Sequence, residues 1–164
     1  MAVRTIRTLG DEILRIKSRK VEQVNERIIT ILEDMAETMY SVGGLGLAGV
    51  QVGILRRLVV IDVGEGLVKL INPEIVKQEG EEVEEEACLS VPEESGYVLR
   101  PQTVTVKACN EKGEEVTITA EGLFKKALCH EIDHLDGVLF IDRVLNESEL
   151  EKFPEVIRPQ EGEE

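Results

Sequence analysis

The chain has 164 residues, 42% of them apolar and 32% charged, which suits one globular domain spanning 1–164 with a sizeable core. Its formal net charge of −14 opposes nonspecific nucleic-acid binding and attraction to an anionic membrane surface. No apolar run is long enough to span a bilayer, and no apolar stretch near the start marks an export signal. With three cysteines, Cys88, Cys109 and Cys129, and hence no disulfide framework, the expected compartment is the reducing cytoplasm.

Gly10-Asp11 reads as a turn and helix cap leading into a short helical piece. Over 25–40, Ile28, Ile31, Leu32, Met35 and Met39 recur at helical spacing, and Gly43-Gly44 ends that helix. The next stretch is Gly44-Leu45-Gly46-Leu47-Ala48-Gly49-Val50-Gln51. No Lys-Ser/Thr follows, so a P-loop fails; a helix rather than a strand precedes Gly44, Gly46 and Gly49, so a dinucleotide fingerprint fails as well. What remains is a tight backbone path that lets a ligand approach, with Gln51 offering an amide donor. Taken alone, the stretch is no better than a flexible loop.

Residues 58–63 and 68–72 read as two strands joined at Gly64-Glu65-Gly66, and Asn72-Pro73 breaks the second. Residues 74–84 have strand-like character around Ile75 and Val76, and the acidic run 79–86 reads as a solvated face or loop. Residues 103–109 and 116–120 alternate around Glu111-Lys112-Gly113 and predict an antiparallel hairpin. An apolar helix is expected over 123–135, then a short extended stretch over 138–141. The tail, 146–164, is polar and acidic, with room for one helical turn and a frayed end. The expected fold is α+β, with short antiparallel sheets around a central metal-binding helix and the N-terminal helix packed outside.

That central helix carries His130-Glu131-Ile132-Asp133-His134, which includes both histidines of the chain. Residues four apart share a helix face, so both imidazoles reach one cation, and Glu131 lies beside the open coordination position. A third ligand is needed. No histidine follows His134, and the glutamates downstream begin at Glu147 in the tail. Cys88, in Glu86-Ala87-Cys88-Leu89-Ser90, supplies a thiolate and completes a Cys-His-His set that leaves a position for water. Cys109 falls in an alternating strand and reads as a small core hydrophobe. Cys129 points about 100° around the helix from His130 and reads as lining or packing beneath the site.

Together the three stretches resemble the peptide deformylase family of bacteria. The family's motifs are G-x-G-L-A-A-x-Q, E-G-C-L-S and H-E-x-D-H-L-D-G; here they run from Gly44 to Gln51, from Glu86 to Ser90 and from His130 to Gly137, in that order. The opening, 3–14, and Phe140-Ile141-Asp142-Arg143 also look like the family, so the similarity spans roughly the first 145 residues. The resemblance implies a metal-dependent hydrolase that removes the formyl group from N-formylmethionine at the start of new proteins and releases formate. It implies Cys88, His130 and His134 as ligands of one divalent ion, Fe²⁺ in the cell, with Zn²⁺, Ni²⁺ or Co²⁺ able to occupy the site. Glu131 becomes the general base and acid, working on the metal's water. Gln51 and the backbone N–H of Leu89 become donors to the developing oxyanion. Gly44, Leu45, Gly46, Leu128 and Cys129 are the expected substrate-binding residues, with Leu123 of the same helix as a further apolar wall and Leu128 equally readable as core.

The implied partners are N-formylmethionyl nascent peptides, which places the enzyme near ribosomes, but the acidic tail offers no basic docking element. No direct nucleic-acid or membrane contact is expected. Asp133 either orients a ligand histidine, caps, or pairs with Arg143, and Arg100 either anchors the acidic segment, the favoured reading, or contacts substrate backbone. Two positions depart from the family pattern. Gly49 replaces alanine, which should cost rigidity more than chemistry. Ala87 replaces glycine; if that position requires φ > 0, the alanine is strained by about 1 kcal/mol or more and catalysis suffers. That departure keeps open a protein that binds formyl-peptide ends without turnover, beside a different metallohydrolase acting on internal peptide bonds.

Overall fold

The computed structural model describes residues 2–157. After a 3-10 turn at Glu12–Arg15, capped by Asp11, come α1 (Glu26–Ser41), β1 (Gly46–Ala48), β2 (Leu58–Ile61), β3 (Val68–Glu79) and β4 (Glu82–Cys88). They are followed by β5 (Val91–Arg100), β6 (Thr103–Cys109), β7 (Glu115–Glu121), α2 (Gly122–Leu135) and two short helical turns, α3 (Glu147–Leu150) and α4 (Pro154–Ile157). Five strands form one antiparallel sheet in the order β1-β2-β3-β6-β7, and β4 pairs with β5 in a separate two-stranded sheet.

The larger sheet is covered on both faces, and β2 shows how. Leu58, Val59, Val60 and Ile61 are all fully buried. Val59 and Ile61 join the core under α2 with Leu128, Ile132 and Leu135, while Leu58 and Val60 join the core under α1 with Leu32, Met35 and Met39. Successive strand residues point to opposite faces, so a strand buried on both sides is apolar throughout. The α+β expectation holds: α2 is the central helix, and α1 closes the opposite face of the sheet. Asn25 caps α1 by accepting from the N–H of Ile28 at 3.0 Å.

Several local expectations fail for identifiable reasons. Asn72-Pro73 does not end its strand: β3 continues to Glu79, with its register shifted between Ile71 and Glu74. The shift takes Pro73, which has no N–H, out of the ladder. Asn72, at φ 54°, exchanges side-chain hydrogen bonds with both backbone groups of Val21 at 2.8 Å. The acidic run is no solvated loop, because most of it forms β4, with Glu86 buried. The glycine-rich stretch contains an edge strand, β1, and the expected extended stretch at 138–141 ends in a 3-10 turn at Phe140–Asp142. The tail holds two helical turns where one was expected, and its expected frayed end, 158–164, lies outside the described residues. Among the described residues, no helix is long and apolar enough to cross a membrane.

Candidate metal centre and active site

α2 presents His130 and His134 one turn apart, with ring centroids 5.0 Å from each other. β4 delivers Cys88 from the other side. The ligand atoms of Cys88, His130 and His134 lie within 4.8 Å of one another, and Cys88 Sγ is 3.2 Å from His134 Nε2. The N–H of Ser90 donates to Cys88 Sγ at 3.4 Å, and Gln51 Nε2 donates to it at 3.7 Å. Gln51 is itself locked in place. Its Oε1 accepts from the N–H of Ala48 at 2.9 Å, and its Nε2 also donates to Ser90 Oγ at 3.0 Å.

Behind the histidines runs a buried polar relay. His130 Nδ1 lies 2.9 Å from Glu86 Oε1. Arg100 donates to both oxygens of Glu86, at 2.7 and 2.8 Å, and to Asp133 at 2.7 Å, and Arg143 closes on Asp133 at 2.8 and 3.1 Å. A carboxylate on Nδ1 holds the proton there and leaves a lone pair on Nε2 for a ligand bond. Glu86 was not among the predicted site residues. Its signal was position: two residues before Cys88 on a strand, the two share a face.

The electrostatics separate the carboxyls. Burial pushes Glu86 up, but Arg100 and His130 outweigh it and hold the group down at about 2. Burial pushes Glu131 up to about 7, reinforced by the charge of Glu86 and opposed by those of His130 and Arg100. Glu131 Oε1 is buried without a hydrogen-bond partner among the described residues. Burial, with the charge of His130, pushes His134 down to about 3, whereas Cys88, Glu131 and Glu86 outweigh burial and push His130 up, a proton that a bound ion would displace. Cys129 is pushed up to about 11, mainly by burial, and stays a protonated thiol. One soft thiolate and two imidazoles beside a basic carboxylate fit a divalent transition ion.

A cavity of about 440 Å³ opens onto these groups. Gly44, Leu45, Gly46 and Gln51 form one wall and Ala87, Cys88 and Leu89 another, while α2 contributes Leu123, Ala127, His130 and Glu131. The glycines allow close approach. A methyl at Gly46 would meet Glu131 Oε2 at 2.7 Å, and one at Gly44 would meet Leu89 Cδ1 at 2.9 Å. Two expected substrate residues stand elsewhere. Leu128 is fully buried in the core beneath the sheet, and Cys129 lines a different cavity with Arg100 and Asp133. Helix phase accounts for the lining: one and two turns back from His130, three and seven positions, give 127 and 123.

The two departures from the family pattern also resolve. Among the described residues, the non-glycine positions with φ > 0 are Asn72 and Glu93, so Ala87 carries no such strain. The expected penalty at Ala87 is withdrawn, and with it the reason to doubt turnover. A Cβ at Gly49 would lie 2.9 and 3.0 Å from the carbonyl oxygens of Ile54 and Arg56, so glycine there answers a close backbone approach.

A family profile described as polypeptide deformylase matches residues 3–150. The chain belongs to the peptide deformylase family. It is 62% identical over 149 residues to peptide deformylase 1 of Clostridium acetobutylicum, covering 91% of this chain and 99% of that one. The crystal structure of peptide deformylase from Thermotoga maritima matches with a TM-score of 0.87 at 43% identity, covering 89% of this chain and 100% of the other. That of peptide deformylase from Ehrlichia chaffeensis in complex with actinonin matches with a TM-score of 0.86 at 37% identity, covering 97% and 100%. Peptide deformylases are hydrolases that remove N-formyl groups from nascent peptides, and this chain is a metal-dependent enzyme of that kind.

Proposed function

We propose that the chain is a single catalytic domain, 1–164, that deformylates N-formylmethionyl peptides through one divalent ion held by Cys88, His130 and His134. The observation that carries this reading is the convergence of three donor atoms from β4 and α2 within 4.8 Å, beside a buried glutamate with an unpartnered oxygen. When bound, the ion supplies the Lewis acidity that lets a water ionise near neutrality and act as the nucleophile. Iron(II) is the proposed ion in the cell, with zinc, nickel or cobalt able to take its place.

Glu131 takes the proton of the attacking water and later returns one to the departing amine. A carboxyl pushed up to about 7 suits both directions near neutral pH. Gln51 Nε2 and the N–H of Leu89 donate to the formyl oxygen as negative charge develops, each worth about 3 kcal/mol in such a role. The methionine side chain enters the cavity between Gly44, Leu45 and Gly46 on one side and Leu123 and Ala127 on the other. Formate and a free methionine amine result. The proposed setting is the cytoplasm, on nascent chains near the ribosome. The acidic tail would be repelled by an RNA surface, and neither nucleic-acid nor membrane contact is proposed.

The test is formate release from a formyl-Met peptide by anaerobically prepared, iron-loaded protein. Glu131→Gln should retain the metal and lose turnover. A Glu131→Gln protein that still turns over would remove Glu131 from its role, and cleavage of internal peptide bonds alone would sink the deformylase reading.

A further inference from the structure

β4 has an unusual task. It must hold Cys88 against a helix from a distant part of the chain, yet it belongs to a two-stranded sheet, a unit that is marginal by itself. Pairing with β5 sets β4 against its neighbour strand, with a register shift between Ala87 and Cys88, but β5 does not carry the histidines. What sets β4 against α2 is therefore a separate question from its pairing.

The strand face turned toward α2 carries Glu82, Glu84, Glu86 and Cys88, two residues apart in each case. Their partners climb α2 in the same order. Lys125 contacts both Glu82 and Glu84, His130 meets Glu86, and His134 meets Cys88. The spacings agree. From Glu84 to Cys88 a strand rises about 13 Å, and from Lys125 to His134 a helix rises about 13.5 Å. The partners therefore follow the same order on strand and helix, with the long Lys125 side chain reaching the far end of the row. Lys125 is fully buried although it carries a long cationic side chain. On the next residue, Lys126 Nζ donates to the carbonyl oxygen of Glu85 at 3.0 Å and ties the same stretch of strand to the helix.

We propose that Lys125 is a positioning residue for the metal centre: its clamp on Glu82 and Glu84 sets the register of β4 along α2 and so places Cys88 against His130 and His134. The proposal rests on the reading of those three residues as the ligands. A slip of one residue would turn the whole row, Cys88 included, to the opposite face of the strand. A buried ion cluster adds little net stability over an apolar replacement of similar volume, and fixing register is the role best attested for such clusters. The clamp sits at the opposite end of the row from Cys88 and touches none of the three ligands.

The decisive variant is the neutral triple Lys125→Met, Glu82→Gln, Glu84→Gln, which removes the clamp without stranding a buried charge. Zinc affinity is read by chelator competition, and the thiolate-to-metal absorption band is read on cobalt-substituted protein. Val106→Ala, a core change in β6, serves as a control for general loss of stability. The triple variant should lose about tenfold or more in metal affinity, with an altered band, at a thermal stability no lower than the control's. Affinity within about twofold of the parent with an unchanged band would overturn the proposal. If the triple variant does not fold, Lys125→Met alone, which releases both carboxylates, is measured in the same way, and retained affinity with an unchanged band there also refutes it. Cys88→Ala separates the two layers. If it too leaves affinity intact, the ligand reading fails and the proposal with it; if it abolishes tight binding while the triple variant does not, only the clamp is refuted.

Discussion

Replacing Glu86 by glutamine removes the hinge of the relay behind the metal centre while preserving its shape. Glu86 accepts two bonds from Arg100, at 2.7 and 2.8 Å, and faces His130 Nδ1 at 2.9 Å. Two losses follow, and they are measured separately. The imidazole loses the carboxylate that fixes its tautomer, a change worth 10- to 100-fold in metal affinity, or about 1.4–2.7 kcal/mol. Breaking a buried pair by neutralising one partner costs about 3–5 kcal/mol. Because Arg100 keeps Asp133 at 2.7 Å, the expected cost falls at the lower end, about 3 kcal/mol. A domain with a total stability of about 5–15 kcal/mol remains folded after that loss. Chelator competition reads the first quantity, and urea unfolding of the metal-free protein reads the second. A Glu86→Gln protein that binds zinc as tightly as the parent would refute the assignment of Glu86 as the group orienting His130. An unchanged unfolding midpoint would refute the buried pair.

Gly46→Ala forces a methyl to within 2.7 Å of Glu131 Oε2, so the carboxylate must move. Displacing a catalytic group by about 1 Å costs on the order of 10²-fold, so kcat should fall by that much with metal content unchanged; full activity would remove the requirement for glycine. Leu128→Ala should cost about 2–5 kcal/mol in unfolding while leaving KM for a formyl-Met peptide where it was, and a raised KM would return Leu128 to the substrate pocket. The pH dependence of Glu86 has a definite sign. Its folded value, about 2, lies below the ordinary 4.5, so its contribution to stability is complete above about 4.5 and is lost as pH falls toward 2. The stability gap between parent and Glu86→Gln in metal-free protein should therefore close on acidification; a gap that widens contradicts the charge assignment.

The histidine pair was legible because helical spacing needs no tertiary information: two residues four apart share a face wherever the helix lies. Cys88 was legible by chemistry, as the thiol whose setting gave it no role in a core. Arg100 was legible as an anchor of the acidic segment and does bind Glu86 there, but the inward turn of Glu86 and the part played by Lys125 were hidden by composition. A dense acidic run looks solvated, and nothing local reveals that alternate members turn inward to a lysine 41 residues away and an arginine 14 away. Leu123 was legible as a pocket wall and lines the cavity, but Leu128 and Cys129, named with it, face the core and another cavity, and Ala127 was missed. Asn72-Pro73 was read as a stop because the bulge that accommodates it depends on pairing between β3 and β6. The layer order was legible in part. A run buried on both faces announces itself in Leu58-Val59-Val60-Ile61, but which helix covers which face does not.

X-ray absorption at the metal edge of anaerobically loaded protein tests the central claim most directly. One sulfur at about 2.3 Å and two imidazole nitrogens at about 2.0–2.1 Å, with the remaining ligand a light atom exchangeable with solvent, is the predicted shell for zinc-loaded protein. A shell without sulfur, one with two sulfurs, or four donors all contributed by the protein would contradict the account.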